Sequence, residues 1–212
     1  MVRNEERDRR ARQEPIAPGL PDAPGIQAAM RLTPGLGLHL RGLADELLVN
    51  DFPGTTLVRA QRELIATAVS AANDCFFCMD SHGEHASALF RRAGTTDTEP
   101  LVDAAKLGSY SGFEPKMRAL LHVARTVAGA PLELTAGDVE AARAAGASDG
   151  DVQLAILIAS GFAMYNRLVD GLRARTAPNA EAYAVRAEEI AERGYAAPPS
   201  GTGAGSRGAA TS

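Results

Sequence analysis

Residues 57–92 read LVRAQRELIATAVSAANDCFFCMDSHGEHASALFRR. In the first half Leu57, Ala60, Leu64, Ala68 and Ala71 recur at the spacing of one helix face. Thr55 or Thr56 stands where an N-cap is expected, so a helix is predicted from there to about Ala72. Asn73-Asp74 interrupts it and can cap a second helix, from Cys75 to about Arg92, closed by Ala93-Gly94.

The same pattern extends outward in both directions. His39–Val49 reads as a helix ending at the turn cluster Asn50-Asp51-Phe52-Pro53-Gly54. Glu99–Leu107 is a shorter one. Met117–Val127 carries Met117, Leu120, Leu121, Ala124 and Val127 on one face and stops at Ala130-Pro131. Thr135 with Asp138, and Ser148 with Asp151, resemble capping boxes that open two more helices, the second running from Asp149 to about Leu172. Ala180–Arg193 is the last, closed by Gly194. No hairpin dipeptide sits between alternating apolar runs. The expected class is all-α, a helical bundle.

The 212 residues suit one domain with tails. Residues 1–24 are expected to be a disordered N-terminal tail, because mixed charges are followed by Pro15, Pro18, Pro21 and Pro24. Residues 25–196 form the helical domain, and residues 197–212 a low-complexity C-terminal tail. The 22 Lys and Arg against 26 Asp and Glu leave a formal charge of −4, which argues against an electrostatic nucleic-acid binder. No run of about 18 uncharged apolar residues occurs, and no secretory core follows the N-terminus, so a cytoplasmic protein without membrane contact is expected.

In a reducing compartment the two cysteines point to redox, catalytic or metal chemistry rather than a structural disulfide. Cys75 and Cys78, three residues apart at a helix start, can close a disulfide, and the positive end of the helix favours a thiolate. His82, four residues after Cys78, shares its face and can exchange a proton at neutral pH. Glu63 lies on the preceding helix and reaches the cysteines if the two helices pack side by side. His85 continues a 3-4-3 spacing but reads as a structural or surface histidine. Four ligands at 75, 78, 82 and 85 span about 15 Å of one helix and cannot surround one zinc ion, so no metal is expected without partners from elsewhere. Met79 after Cys78 excludes a c-type haem, and no phosphate loop or dinucleotide fingerprint occurs. Phe76 and Phe77 read as core or channel residues.

Glu63 followed by Cys75-x-x-Cys78-x-x-x-His82 resembles the alkylhydroperoxidase D-like group of the carboxymuconolactone decarboxylase superfamily. Residues 119–172 resemble the C-terminal half of its peroxidase-related members, and the likeness covers about residues 30–195. The resemblance implies an all-helical fold and a cofactor-free, thiol-dependent peroxidase acting on hydrogen peroxide or small organic hydroperoxides. Cys78 would be the peroxidatic thiol, Cys75 the resolving one, and Glu63 with His82 the proton relay. An external thiol, a thioredoxin-like protein or a lipoyl group would be the reductant, and the assembly a homo-oligomer, a trimer or hexamer. Phe77 departs from the group, whose best-described members carry histidine at that place. Two other readings stand beside this one: a lyase acting on a small lactone acid, with Glu63 and histidines as acid and base, and a non-catalytic thiol redox sensor.

Overall fold

The computed structural model describes Glu5, Arg9 and residues 14–196. Among the described residues there are nine α-helices from Ile26 onward, one short 3-10 turn at Pro131–Glu133, and no strand. The helices are α1 (Ile26–Leu32), α2 (Pro34–Leu48), α3 (Arg59–Ala72), α4 (Phe76–Arg92) and α5 (Glu99–Leu107). They continue with α6 (Pro115–Gly129), α7 (Ala136–Ala144), α8 (Asp149–Gly171) and α9 (Ala180–Arg193). The all-α expectation is met, and five of the boundaries agree with the sequence reading within one residue at each end (α4, α5, α7, α8 and α9).

Helix α3 is the centre. It packs along α4 and also meets α5, α6 and α8. Leu64, Ile65, Ala68 and Val69 are sealed from solvent, as are Leu120 and Leu121 of α6 and Leu154 and Ile158 of α8. Each of these leucine, isoleucine and valine side chains contributes about 1.5–3 kcal/mol of transfer free energy when buried. Helix α9 returns to lie on α4, which places the end of the described chain beside the middle of the molecule. Helix α8 is long and apolar enough to cross a membrane, but half of its most apolar stretch is buried inside the fold, as in a core helix.

Two predicted caps are used differently. Helix α3 starts at Arg59 rather than at Thr55 or Thr56, because both threonines are engaged by Asp151. The Asp151 carboxylate accepts from the Thr55 hydroxyl (2.7 Å), the Thr56 N–H (2.6 Å), the Thr56 hydroxyl (2.8 Å) and the Ser148 N–H (3.1 Å). Ser148 in turn accepts from the Asp151 N–H and donates to the Gly54 carbonyl at 2.7 Å. The predicted capping box of α8 therefore also staples the turn before α3. Gly150 has to be glycine here, since a Cβ would stand 2.4 Å from the carbonyl carbon of Gly54.

The second difference lies between α3 and α4. Asn73 closes α3, Asp74 takes a positive φ of 54°, and Cys75, not Asn73 or Asp74, is the N-cap of α4. The Cys75 N–H donates to the Ser70 carbonyl at 2.9 Å. The Asn73 amide is spent on Asn166 (2.9 Å), whose own amide donates to Ser70. Tertiary partners have outcompeted the local cap.

Of the expected tails, residues 197–212 and most of 1–13 lie outside the described residues. Residues 14–24 carry no helix or strand. They run beside the segment after α8: Ile16 N–H donates to the Leu172 carbonyl and Gly25 N–H to the Arg175 carbonyl at 2.7 Å. Helix α1 was not read from sequence. It is seven residues between Gly25 and Thr33-Pro34, with no side-chain cap.

Candidate functional site

The side-by-side packing of α3 and α4 decides the site. It brings the Glu63 carboxylate, completely buried, to the Nδ1 of His82 at 2.7 Å. Against the expectation that Glu63 reaches the cysteines, the carboxylate meets His82, one turn beyond Cys78, instead. Of the two expectations for His85, structural or surface, the second fails: one turn further along α4 it is buried, with Nδ1 3.7 Å from the same Glu63 oxygen. The two imidazoles stand perpendicular, with ring centroids 5.1 Å apart. Phe162 of α8 meets the His82 ring edge-on at 4.5 Å and closes that side.

Tyr195 completes the cluster, and no sequence signal pointed to it. Its hydroxyl lies 2.7 Å from Glu63 Oε1, 2.9 Å from His85 Nδ1 and 3.3 Å from His82 Nδ1. One hydrogen-bond assignment satisfies the three shortest contacts of the cluster. His82 Nδ1–H donates to Glu63 Oε2, Tyr195 O–H donates to Glu63 Oε1, and His85 Nδ1–H donates to the Tyr195 oxygen. That tautomer leaves Nε2 of His82 without a proton and able to accept one. Gly194, at φ 74°, turns the chain off α9, and Asp45 of α2 accepts the N–H groups of Tyr195 (2.6 Å) and Ala196 (2.9 Å). The phenol is thus pinned from its own backbone.

Burial and hydrogen bonding compete over these charges. Burial alone would raise the Glu63 carboxyl, but the two imidazoles outweigh it and hold the group down at about 2. Burial lowers His85, so it is neutral at pH 7, while burial and the Glu63 charge push the Tyr195 phenol well above its ordinary value.

Cys75 and Cys78 are free thiols, both buried, in contact with one another and packed with Phe77 and Val169. Cys78 lies in the first turn of α4, whereas Cys75 precedes it. The expectation of an activated thiolate therefore fails for Cys75: the adjacent Cys78 and burial, with the Asp170 charge, push its thiol up. A cavity of about 60 Å³ opens beside Cys78, bounded by His82, His85 and Tyr195 together with Phe77 and Phe162. That is room for a few water-sized molecules. Arg41 and Arg186 also line it. Phe77 is both core and channel wall. Its ring packs on Tyr183 at 5.8 Å and fills the space where a Cβ on Gly25 would stand, 2.0 Å away.

Glu63, His82 and His85 offer three ligand atoms within 4.8 Å of one another, a set able to hold a metal ion. His122 is elsewhere, exposed and paired with Asp138 at 3.2 Å.

Residues 43–126 match the carboxymuconolactone decarboxylase family, a span that holds Glu63, both cysteines and both clustered histidines. No curated protein matches the chain. Two solved structures share the fold. One is the alkylhydroperoxidase AhpD core of an uncharacterized peroxidase-related protein from Ralstonia eutropha, with 24% identity and a TM-score of 0.65 over 78% of this chain and 82% of that one. The other is an uncharacterized peroxidase-related protein from a Silicibacter species, with 23% identity and a TM-score of 0.66 over 81% of this chain and 95% of that one. The chain shares the fold of these two structures, and its residues 43–126 are similar to the carboxymuconolactone decarboxylase family.

Proposed function

We propose that the chain is a thiol-dependent peroxidase for hydrogen peroxide or small organic hydroperoxides. The observation that carries this reading is the order of groups at the cavity. Cys78 lines it beside His82, Glu63 holds the far side of that imidazole, and Cys75 is buried in contact with Cys78. The peroxidase-related names of the two structural neighbours agree with it.

His82 Nε2 takes the proton of Cys78, and the thiolate attacks one peroxide oxygen. The O–O bond breaks, the leaving oxygen receives the proton back from His82, and Cys78 becomes a sulfenic acid. Cys75 then attacks the Cys78 sulfur, which releases water and leaves a disulfide. Its raised thiol suits this second role, since it need not ionise until the sulfenic acid stands beside it. Two electrons from an external thiol, a thioredoxin-like protein or a lipoyl group restore the dithiol. A cytoplasmic location and a trimeric or hexameric assembly belong to the same proposal.

Peroxide added to the Cys75→Ser variant tests the reading. A sulfenic acid that labels with dimedone at Cys78 supports it. Turnover in a Cys75→Ser/Cys78→Ser variant on a lactone acid favours the lyase reading, and reversible disulfide formation without turnover favours the sensor.

A further inference from the structure

We propose that Glu63, His82, His85 and the hydroxyl of Tyr195 form a binding site for a divalent transition-metal ion of the zinc type. The objection raised by the sequence was that ligands along one helix cannot surround an ion. The fold removes it. His82 and His85 come from α4, Glu63 from α3 and Tyr195 from the segment after α9, so the donors approach from three directions.

The separations fit. The Glu63 Oε2 atom stands 2.7 and 3.7 Å from the two Nδ1 atoms, and the Tyr195 oxygen 3.3 and 2.9 Å from the same pair. A tetrahedral ion with bonds of about 2.0–2.1 Å places its donors roughly 3.3 Å apart. Two imidazoles among four donors select zinc, copper, nickel, cobalt or iron over magnesium and calcium, which prefer oxygen alone. Charge also balances: the Glu63 carboxylate and a Tyr195 phenolate together neutralise a divalent cation, which a buried site favours. The cavity beside His82, His85 and Tyr195 gives the ion a route in.

Binding is balanced in protons. Each imidazole gives up its Nδ1 proton and takes one at Nε2, with no net change. The phenol loses its proton to solvent when its oxygen coordinates. One proton is released per ion.

The binding claim stands apart from the peroxidase reading. One consequence rests on that reading: a ligated His82 cannot accept the Cys78 proton, so the loaded protein reacts more slowly with peroxide until a chelator is added.

Calorimetric titration of the reduced full chain with Zn²⁺, and visible absorption with Co²⁺, test the site without any turnover. The expected result is one ion per chain with a Kd below about 1 μM, weakened about 10–100-fold in His85→Ala. The Cys75→Ser/Cys78→Ser variant keeps the site, and the cobalt spectrum lacks thiolate charge-transfer bands. Proton release falls from one to none in Tyr195→Phe. Failure of the folded wild-type chain to bind overturns the proposal, whatever the variants do. So does binding that survives in His85→Ala and vanishes in the double cysteine variant. Because binding is read directly, a protein inactive towards peroxide leaves this result standing, and an active one does not rescue a failed titration.

Discussion

Tyr195 reaches across 132 residues to place its hydroxyl 2.7 Å from the buried carboxylate of Glu63. The contact locks the end of the described chain onto the central helix pair and holds His85 from the other side. Removing the hydroxyl leaves one carboxylate oxygen and one imidazole nitrogen without their partner. Tyr195→Phe is expected to lower stability by about 1–3 kcal/mol, measured by denaturant unfolding. An unchanged midpoint contradicts the network assigned to these four side chains.

Asp45 does not touch the histidines, yet it holds the backbone on both sides of the Tyr195 carbonyl. Asp45→Ala is expected to release the phenol and to reproduce the reactivity of Tyr195→Phe towards peroxide. The double variant should then be no slower than either single one, because both act on one contact. Additive losses would show that Asp45 acts by another route.

Gly25 sits at φ 52° with the Phe77 ring where its Cβ would be. Gly25→Ala combines backbone strain with a clash and is expected to cost about 2 kcal/mol or more. Shrinking the ring in Gly25→Ala/Phe77→Leu should recover part of that loss. Thermal unfolding of the two variants decides it, and no recovery means that strain alone sets the cost.

Asp151 supplies a pH dependence remote from the site. Burial alone would raise its carboxyl, but the Thr56 N–H, the Thr55 hydroxyl and the Ser148 N–H outweigh it and hold the group below the usual range. A folded-state pKa below the unfolded one means that the unfolded chain takes up the proton first as pH falls. Stability from this group is therefore complete above about pH 4 and is lost progressively below it. Asp151→Asn should flatten the acid limb of a stability–pH curve and cost stability at pH 7. An acid limb of unchanged slope contradicts the role given to Asp151.

Most of the helices were legible because their apolar residues repeat at 3.6-residue spacing and their capping boxes are local. Thr135 with Asp138 and Ser148 with Asp151 form as read. The caps that failed at Thr55, Thr56 and Asn73 are those whose side chains serve contacts beyond their own helix, while Asp74 takes the positive φ of the turn. Glu63 and His82 were legible since a two-helix hairpin constrains which faces meet. His85 shared their spacing, but nothing in the sequence told a buried carboxylate from an exposed face beside it. Tyr195 was illegible for a plainer reason. A contact between residues so far apart, carried by a turn after the last helix, leaves no periodic trace.

The central claim is that Cys78 reduces peroxide at this cavity and Cys75 resolves it. Stopped-flow mixing of the reduced protein with one equivalent of hydrogen peroxide, followed by thiol counting, tests it most directly. The account predicts that two thiols disappear per peroxide consumed in the wild-type chain, and that Cys78→Ser consumes none. Peroxide consumed at the wild-type rate by Cys78→Ser, or with both thiols still free, would contradict it.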